Sequence, residues 1–308
     1  MAEFRNRSII SMRDFNREEI LHVLEVASQM DENPEKFAHA LEGKILATLF
    51  FEPSTRTRLS FESAMLKLGG KVMGFADTGS TSTKKGESLA DSIKIVESYS
   101  DIIVMRHPVA GSARLASEIS HVPILNAGDG ANQHPSQTFL DLYTILEEKG
   151  TLEKLQVGFM GDLKYGRTVH SLAHALALFG CEFYFVSPKG LEMPTDSLEE
   201  LASMGISFRE GPNFNEVKKT LDILYVTRIQ RERFGHDLDY EKVREGYNIS
   251  RAFLEGFNPN LRILHPLPRV DELSEDVDST PHAIYFKQAA NGIPTRMALI
   301  ALVMGVES

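Results

Sequence analysis

Apolar runs of strand length recur along this chain and alternate with segments whose hydrophobic positions follow a helical period. In the first half the runs are Ile45 to Phe51, Lys71 to Ala76, Asp101 to His107 and Val122 to Ala127. Their nearly continuous apolar character fits strands covered on both faces. After Pro135 a helical pattern continues to about Lys149, where Gly150 and Thr151 interrupt it. A domain boundary is expected there, giving domains 1–149 and 150–289, with a terminal helical segment at about 290–308 packing back on the first. The second half resumes with strands at Gln156 to Met160, Glu182 to Val186, Asp222 to Thr227 and Leu261 to Leu264. Helices are expected at Thr168 to Leu178 and Thr295 to Met304.

Parallel strands need crossovers, and each crossover helix buries one stripe against the sheet. The alternation therefore predicts an α/β protein with mainly parallel sheet and helices on both faces. Two doubly wound domains fit the length, and a single eight-fold barrel fits the same pattern, so periodicity leaves both open. No repeat of solenoid length is present, and the one short polar tract is Thr78 to Lys85.

Composition narrows the setting. A chain of 308 residues that is 42% hydrophobic can fill two ordinary cores. With 33 basic and 43 acidic residues the net charge is −10, which opposes nonspecific binding to nucleic acid. An anionic ligand must then find a local basic pocket. Cys181 is the single cysteine and sits in the apolar stretch Ala177 to Val186, so it can form no internal disulfide and suits a reducing compartment. The start of the chain, with Glu3, Arg5 and Arg7, lacks a signal-peptide core, and the run Met297 to Val306 is too short to span a bilayer. A soluble cytoplasmic protein without membrane partners is the expectation.

The densest chemistry lies in Phe50-Phe51-Glu52-Pro53-Ser54-Thr55-Arg56-Thr57-Arg58, between a buried strand and a helix expected over Leu59 to Leu68. Unpaired backbone N–H groups and the positive dipole end at a helix start favour an anion; hydroxyls add donors, and arginine grips two phosphate oxygens at once. Ser and Thr also cap helices without any ligand. The density of donors at the carboxyl end of a strand, where open α/β sheets bind ligands, favours phosphate.

Ser54-Thr55-Arg56-Thr57-Arg58 resembles the carbamoyl phosphate signature of the aspartate and ornithine carbamoyltransferases. The resemblance continues in order through Ser80 to Glu87, Arg106-His107-Pro108, His134-Pro135-Ser136-Gln137, Gly161-Asp162 with Arg167-Thr168, Thr227-Arg228-Ile229-Gln230 and His265-Pro266-Leu267-Pro268-Arg269. It spans nearly the whole chain and implies the two-domain fold rather than the barrel. It also implies carbamoyl transfer to an amino acid, with neither metal nor cofactor.

By that resemblance Ser54, Thr55, Arg56 and Thr57 hold the phosphate, while Arg106, His134 and Thr57 polarise the carbonyl oxygen, and Gln137 meets the carbamoyl amine. A lone histidine near a helix start is more often a cap than a catalytic group, and it is the matching neighbours that raise His134 above that reading. The leaving phosphate can accept the amine proton, so no protein base is assigned. Arg167 takes the α-carboxylate of L-aspartate, and Arg228 with Gln230 the β-carboxylate, because the planar guanidinium fork suits carboxylates. Leu267 and Pro268 add backbone contacts. Ser82 and Lys85 are implied to complete the site of a neighbouring subunit, which makes a homotrimer the smallest active unit. Some family members carry separate regulatory chains, and the sequence does not decide whether this one does.

An ornithine carbamoyltransferase would typically carry cysteine in an H-C-L-P motif where Pro266 stands here, and a cationic substrate beside Arg228 would be electrostatically costly. A noncatalytic carbamoyl phosphate-binding paralogue would keep the fold and lose reacting-centre residues, all of which are retained. A dinucleotide loop at Gly158-Phe159-Met160-Gly161 lacks the G-x-G-x-x-G spacing.

Overall fold

The computed structural model describes residues 4–76, 86–229 and 247–306. Ser82, Lys85 and Gln230 lie outside the described residues. By its internal contacts the chain divides into two compact units, one formed by Met1–Tyr143 with Asn291–Ser308 and the other by Thr144–Ala290.

The first unit is built on a parallel sheet of β1 (Ile45–Phe50), β2 (Lys71–Phe75), β3 (Ile102–His107) and β4 (Ile124–Asp129), in the order β2-β1-β3-β4. The apolar runs of β1, β3 and β4 are almost wholly buried, as strands sandwiched between helix layers must be. The edge strand β2 is only half covered. Its helices are α1 (Arg17–Glu32), α2 (Thr55–Lys67), α3 (Leu89–Val96), α4 (Ser112–Ile119) and most of α5 (Pro135–Lys149). Helix α1 was not singled out from the sequence, although Asn16 and Glu19 form a reciprocal capping box at its start.

The second unit carries β5 (Gln156–Met160), β6 (Glu182–Val186), β7 (Phe208–Glu210), β8 (Ile223–Val226) and β9 (Arg262–Leu264), all parallel, in the order β7-β6-β5-β8-β9. Helices α6 (Arg167–Ala177), α7 (Thr195–Ser203) and α8 (Tyr285–Ala290) belong to it. Strand β7 escapes sequence reading because it is three residues long, edge-placed and partly exposed. Two open sheets with outward winding exclude the eight-fold barrel, and the fold is α/β with two doubly wound parallel sheets.

Downstream, α9 (Gly292–Val303) packs against α1 and α2 in the first unit. It begins three residues before the expected Thr295, since Pro294 sits in its first turn, where a missing N–H costs nothing. It is buried nearly all round, as a helix without a polar face must be. Among the described residues no helix is long and apolar enough to cross a membrane.

Candidate functional site

In the first sheet the chain leaves β1 for β2 on one side and returns to place β3 on the other. The winding reverses between β1 and β3, and the crevice at the carboxyl ends of two such strands is where open α/β sheets take ligands. Both flanking segments carry arginine. Phe50 pairs in register with Arg106, and the Phe51 N–H donates to the Arg106 carbonyl at 2.9 Å, so the two chain ends leave the sheet together.

Helix α2 starts at Thr55 rather than the expected Leu59, and the signature residues are its first turn. Pro53 and the polar run after it hide that start in the sequence, because their composition is that of a loop. Ser54 is the N-cap residue but makes no side-chain cap hydrogen bond, so its hydroxyl is not consumed by the helix. Thr57 is buried, while Thr55 and Arg56 are exposed.

The two signature arginines have different surroundings. Arg58 donates to Glu62 at 3.0 Å, and Glu62 also accepts from the Thr48 hydroxyl at 3.0 Å. Arg58 is therefore neutralised within its own helix. Arg56 has no carboxylate partner among the described residues, and its pKa is lowered by partial desolvation of its otherwise exposed side chain and then by the charge of Arg106. Arg106 donates through Nη2 to Glu52 at 2.7 Å and through Nη1 to the Ala127 carbonyl at 3.3 Å. Its Nε is buried and finds no partner among the described residues. The two like charges raise each other's cost, which an anion bound nearby relieves.

His134 and Gln137 come from the segment after β4. Asp129, buried at the end of that strand, accepts from four donors: Asn126 Nδ2 at 2.9 Å, the Gln133 N–H at 3.0 Å, the Gly111 N–H at 2.8 Å and Asn132 Nδ2 at 3.0 Å. This knot fixes the loop that ends in His134. The His134 carbonyl accepts from the N–H groups of Gln137 at 3.0 Å and Thr138 at 3.2 Å, so its backbone caps α5. Its ring is buried, with Nδ1 3.4 Å from the Ser136 hydroxyl. Gln137 donates through Nε2 to Asp141 Oδ1 at 2.9 Å. A carboxylate only accepts, so this contact fixes which end of the amide is which.

The second sheet repeats the logic. Its chain winds out from β5 to β6 and β7, then returns with β8 on the other side of β5, so its reversal lies between β5 and β8. Arg167 opens α6 after β5, and Arg228 follows β8 by two residues. Gly161, at φ 119°, lets the β5 end touch that of β8: a Cβ there would lie 2.1 Å from the Thr227 carbonyl oxygen. Thr227 in turn donates its N–H to the Met160 carbonyl at 2.8 Å. The glycine thus serves strand contact, not a dinucleotide loop. After β9, His265 accepts the Leu267 N–H on Nδ1 at 2.8 Å, which leaves Nε2 to donate to Glu272 at 2.8 Å. Burial would raise the Glu272 pKa, but His265 and backbone donors bring it below the usual range. Leu267, at φ 55°, and the cis-bonded Pro268 are held by this pair.

Each unit thus brings those of its expected site residues that are described to the carboxyl ends of adjacent strands. Glu52, Asp129, Asp141 and Glu272, which hold them in place, were not singled out from the sequence. Only the position of Glu52 inside the signature segment offered a signal.

These features define a class: doubly wound α/β proteins with arginine-bearing loops at the switch points of two sheets. Two family models match, "Aspartate/ornithine carbamoyltransferase, carbamoyl-P binding domain" over residues 7–147 and "Aspartate/ornithine carbamoyltransferase, Asp/Orn binding domain" over residues 153–303. The aspartate carbamoyltransferase catalytic subunit of Thermococcus onnurineus is 55% identical over 306 residues, covering 99% of each chain. Among solved structures, the catalytic subunit of M. jannaschii aspartate transcarbamoylase matches with TM-score 0.90 at 54% identity, covering 96% of this chain and 98% of that one. Aspartate transcarbamoylase from Trypanosoma cruzi, in complex with carbamoyl phosphate and aspartate, matches with TM-score 0.92 at 38% identity, covering 99% and 98%. The chain belongs to the aspartate/ornithine carbamoyltransferase family.

Proposed function

We propose that this protein is an aspartate carbamoyltransferase, joining the carbamoyl group of carbamoyl phosphate to the α-amine of L-aspartate and releasing phosphate, an early step of pyrimidine synthesis. The observation that carries the reading is the pairing of Arg56 and Arg106 at the β1/β3 switch point, where the Arg106 Nε lacks a partner among the described residues. An oxyanion supplies the opposing charge that Arg56 lacks among the described residues and a partner for Arg106 Nε, the Arg106 Nη2 being already engaged by Glu52. Ser54, Thr55, Arg56 and Thr57 hold the phosphate from the first turn of α2. Arg106, His134 and Thr57 donate to the carbonyl oxygen as it gains charge. Loss of one such donor costs on the order of 100-fold in rate or more.

The amine of aspartate attacks the carbonyl carbon, the C–O bond to phosphate breaks, and the departing phosphate takes the amine proton. Gln137 accepts from the carbamoyl amine. Arg167 binds the α-carboxylate, Arg228 and Gln230 bind the β-carboxylate, and Leu267 and Pro268 contribute backbone groups. Positioning of two substrates supplies much of the remaining acceleration. Residues 1–149 with the terminal helix serve carbamoyl phosphate, and 150–289 serve aspartate. The enzyme works in the cytoplasm as a homotrimer in which Ser82 and Lys85 complete a neighbour's site.

A colorimetric assay for ureido product, run with carbamoyl phosphate and either L-aspartate or L-ornithine, tests the reading. Product with aspartate alone is expected; product with ornithine, or binding without product, overturns it. Mixing the variants Lys85→Ala and Arg56→Ala under exchange conditions tests the shared site, and hybrids that regain no activity refute it.

A further inference from the structure

A buried carboxyl group lies behind Gln137. Asp141, one helical turn along α5, is fully buried and accepts from Gln137 Nε2 at 2.9 Å. Arg296 of α9 is also buried. Desolvation brings its pKa down to about 10 against the opposing charge of Asp141. Arg296 Nη1 donates to the Gly292 carbonyl at 3.2 Å, and its guanidinium lies over the Phe61 ring of α2, 5.0 Å from the centroid. A Cβ at residue 292 would lie 2.2 Å from Arg296 Nη1, so the guanidinium packs directly on the glycine. The Asp141 oxygen facing Gln137 accepts from the amide nitrogen, which has no lone pair to offer in return.

We infer that Asp141, accepting from Gln137 Nε2, is a positioning and specificity-determining residue that locks the Gln137 amide with its nitrogen inward and its carbonyl oxygen as the acceptor offered to substrate. The inference rests on the proposed contact of Gln137 with the carbamoyl amine. An acceptor fixed in this sense selects a donor. It favours the carbamoyl NH2 over a methyl group in the same place, and hence carbamoyl phosphate over acetyl phosphate. Were the amide free to turn, its NH2 could face the substrate and the preference would fall.

The test measures discrimination between carbamoyl phosphate and acetyl phosphate, both by equilibrium binding and by turnover with inhibition. The variant Asp141→Asn keeps shape but lets residue 141 donate, so the amide can reverse. Expected is a loss of about tenfold in carbamoyl phosphate affinity, the worth of one hydrogen bond, with acetyl phosphate changing less than about twofold. The exchanged double variant Gln137→Glu/Asp141→Asn presents a carboxylate oxygen to the substrate and an amide donor behind it. Its ratio of the two affinities returns to within about threefold of the parent, and this variant decides the matter alone if the single one does not fold. Parallel losses for both ligands, an unchanged ratio in Asp141→Asn, or a collapsed ratio in the double variant overturns the inference. A parent protein that forms no ureido product overturns the proposed reaction instead, and the binding ratio still reports on Gln137.

Discussion

Replacement of Asp129 by asparagine probes the link between fold and site at one buried atom group. The carboxylate is 1% exposed and accepts from four donors at 2.8–3.0 Å. Asparagine is isosteric, so no cavity forms. Its single carbonyl oxygen can serve two of the donors, while its NH2 turns toward the other two. Hydrogen bonds to a charged acceptor contribute about 1.5–3 kcal/mol each, and buried donors left unmatched cost a similar amount. Two lost bonds, partly relaxed, give about 3–5 kcal/mol. For a domain of this size that is a fall in melting temperature of roughly 6–20 °C. The loop from Asp129 to His134 loosens with it, and misplacement near 1 Å costs up to about 100-fold in rate, so turnover should drop at least tenfold. Scanning calorimetry reads the first effect and the ureido assay at a temperature where the variant is folded reads the second. The exposed Asp91, which accepts from the Ser88 hydroxyl at 2.7 Å, provides the control, and Asp91→Asn should stay within about 0.5 kcal/mol. A shift below about 2 °C with full activity in Asp129→Asn would refute the role given to the knot.

Other expectations follow from single contacts. Gly161→Ala places a Cβ against the Thr227 carbonyl at a left-handed φ and should destabilise the second unit by about 2–4 kcal/mol, read by urea titration. Cys181 is buried, donates to the Leu152 carbonyl at 3.1 Å, and burial pushes its thiol up to about 12; a disulfide reagent should label it only at the rate of unfolding. Burial would raise the pKa of Glu148, but Lys287 at 2.8 Å and Arg262 at 2.9 Å hold it below the usual carboxylate range. Its stabilisation is thus full above the unfolded pKa and lost as pH falls through the lower folded value. Glu148→Gln should cost stability at pH 6 and progressively less as pH falls below the usual carboxylate range, in denaturation curves taken across it.

Much of this architecture is legible from the apolar runs. Strands β1, β3, β4, β5, β6 and β8 are near-continuous hydrophobic segments because helices cover both faces. Strand β7 and the start of α2 are not legible, since one is a short exposed edge and the other wears a loop's composition. The signature segment, the histidine and the arginines after β5 and β8 stand out by chemistry. Spacing and composition do not separate Arg56 from Arg58, a choice that only the family resemblance makes, and their difference lies in the reach of Glu62. Nor do they find Asp141 or Arg296, because a buried charge looks like any other until its surroundings are known.

Because α9 seals α1 and α2, the first unit draws on stretches of chain that are synthesised far apart. The interval from Tyr143 to Asn291 takes roughly 7–30 s to translate at ~5–20 residues per second. Throughout that delay the greasy backs of α1 and α2 remain uncovered on a nascent chain, while the segment emerging between them can already close its own sheet. The half that starts first on the ribosome therefore matures second, and chaperone protection matters most during that wait.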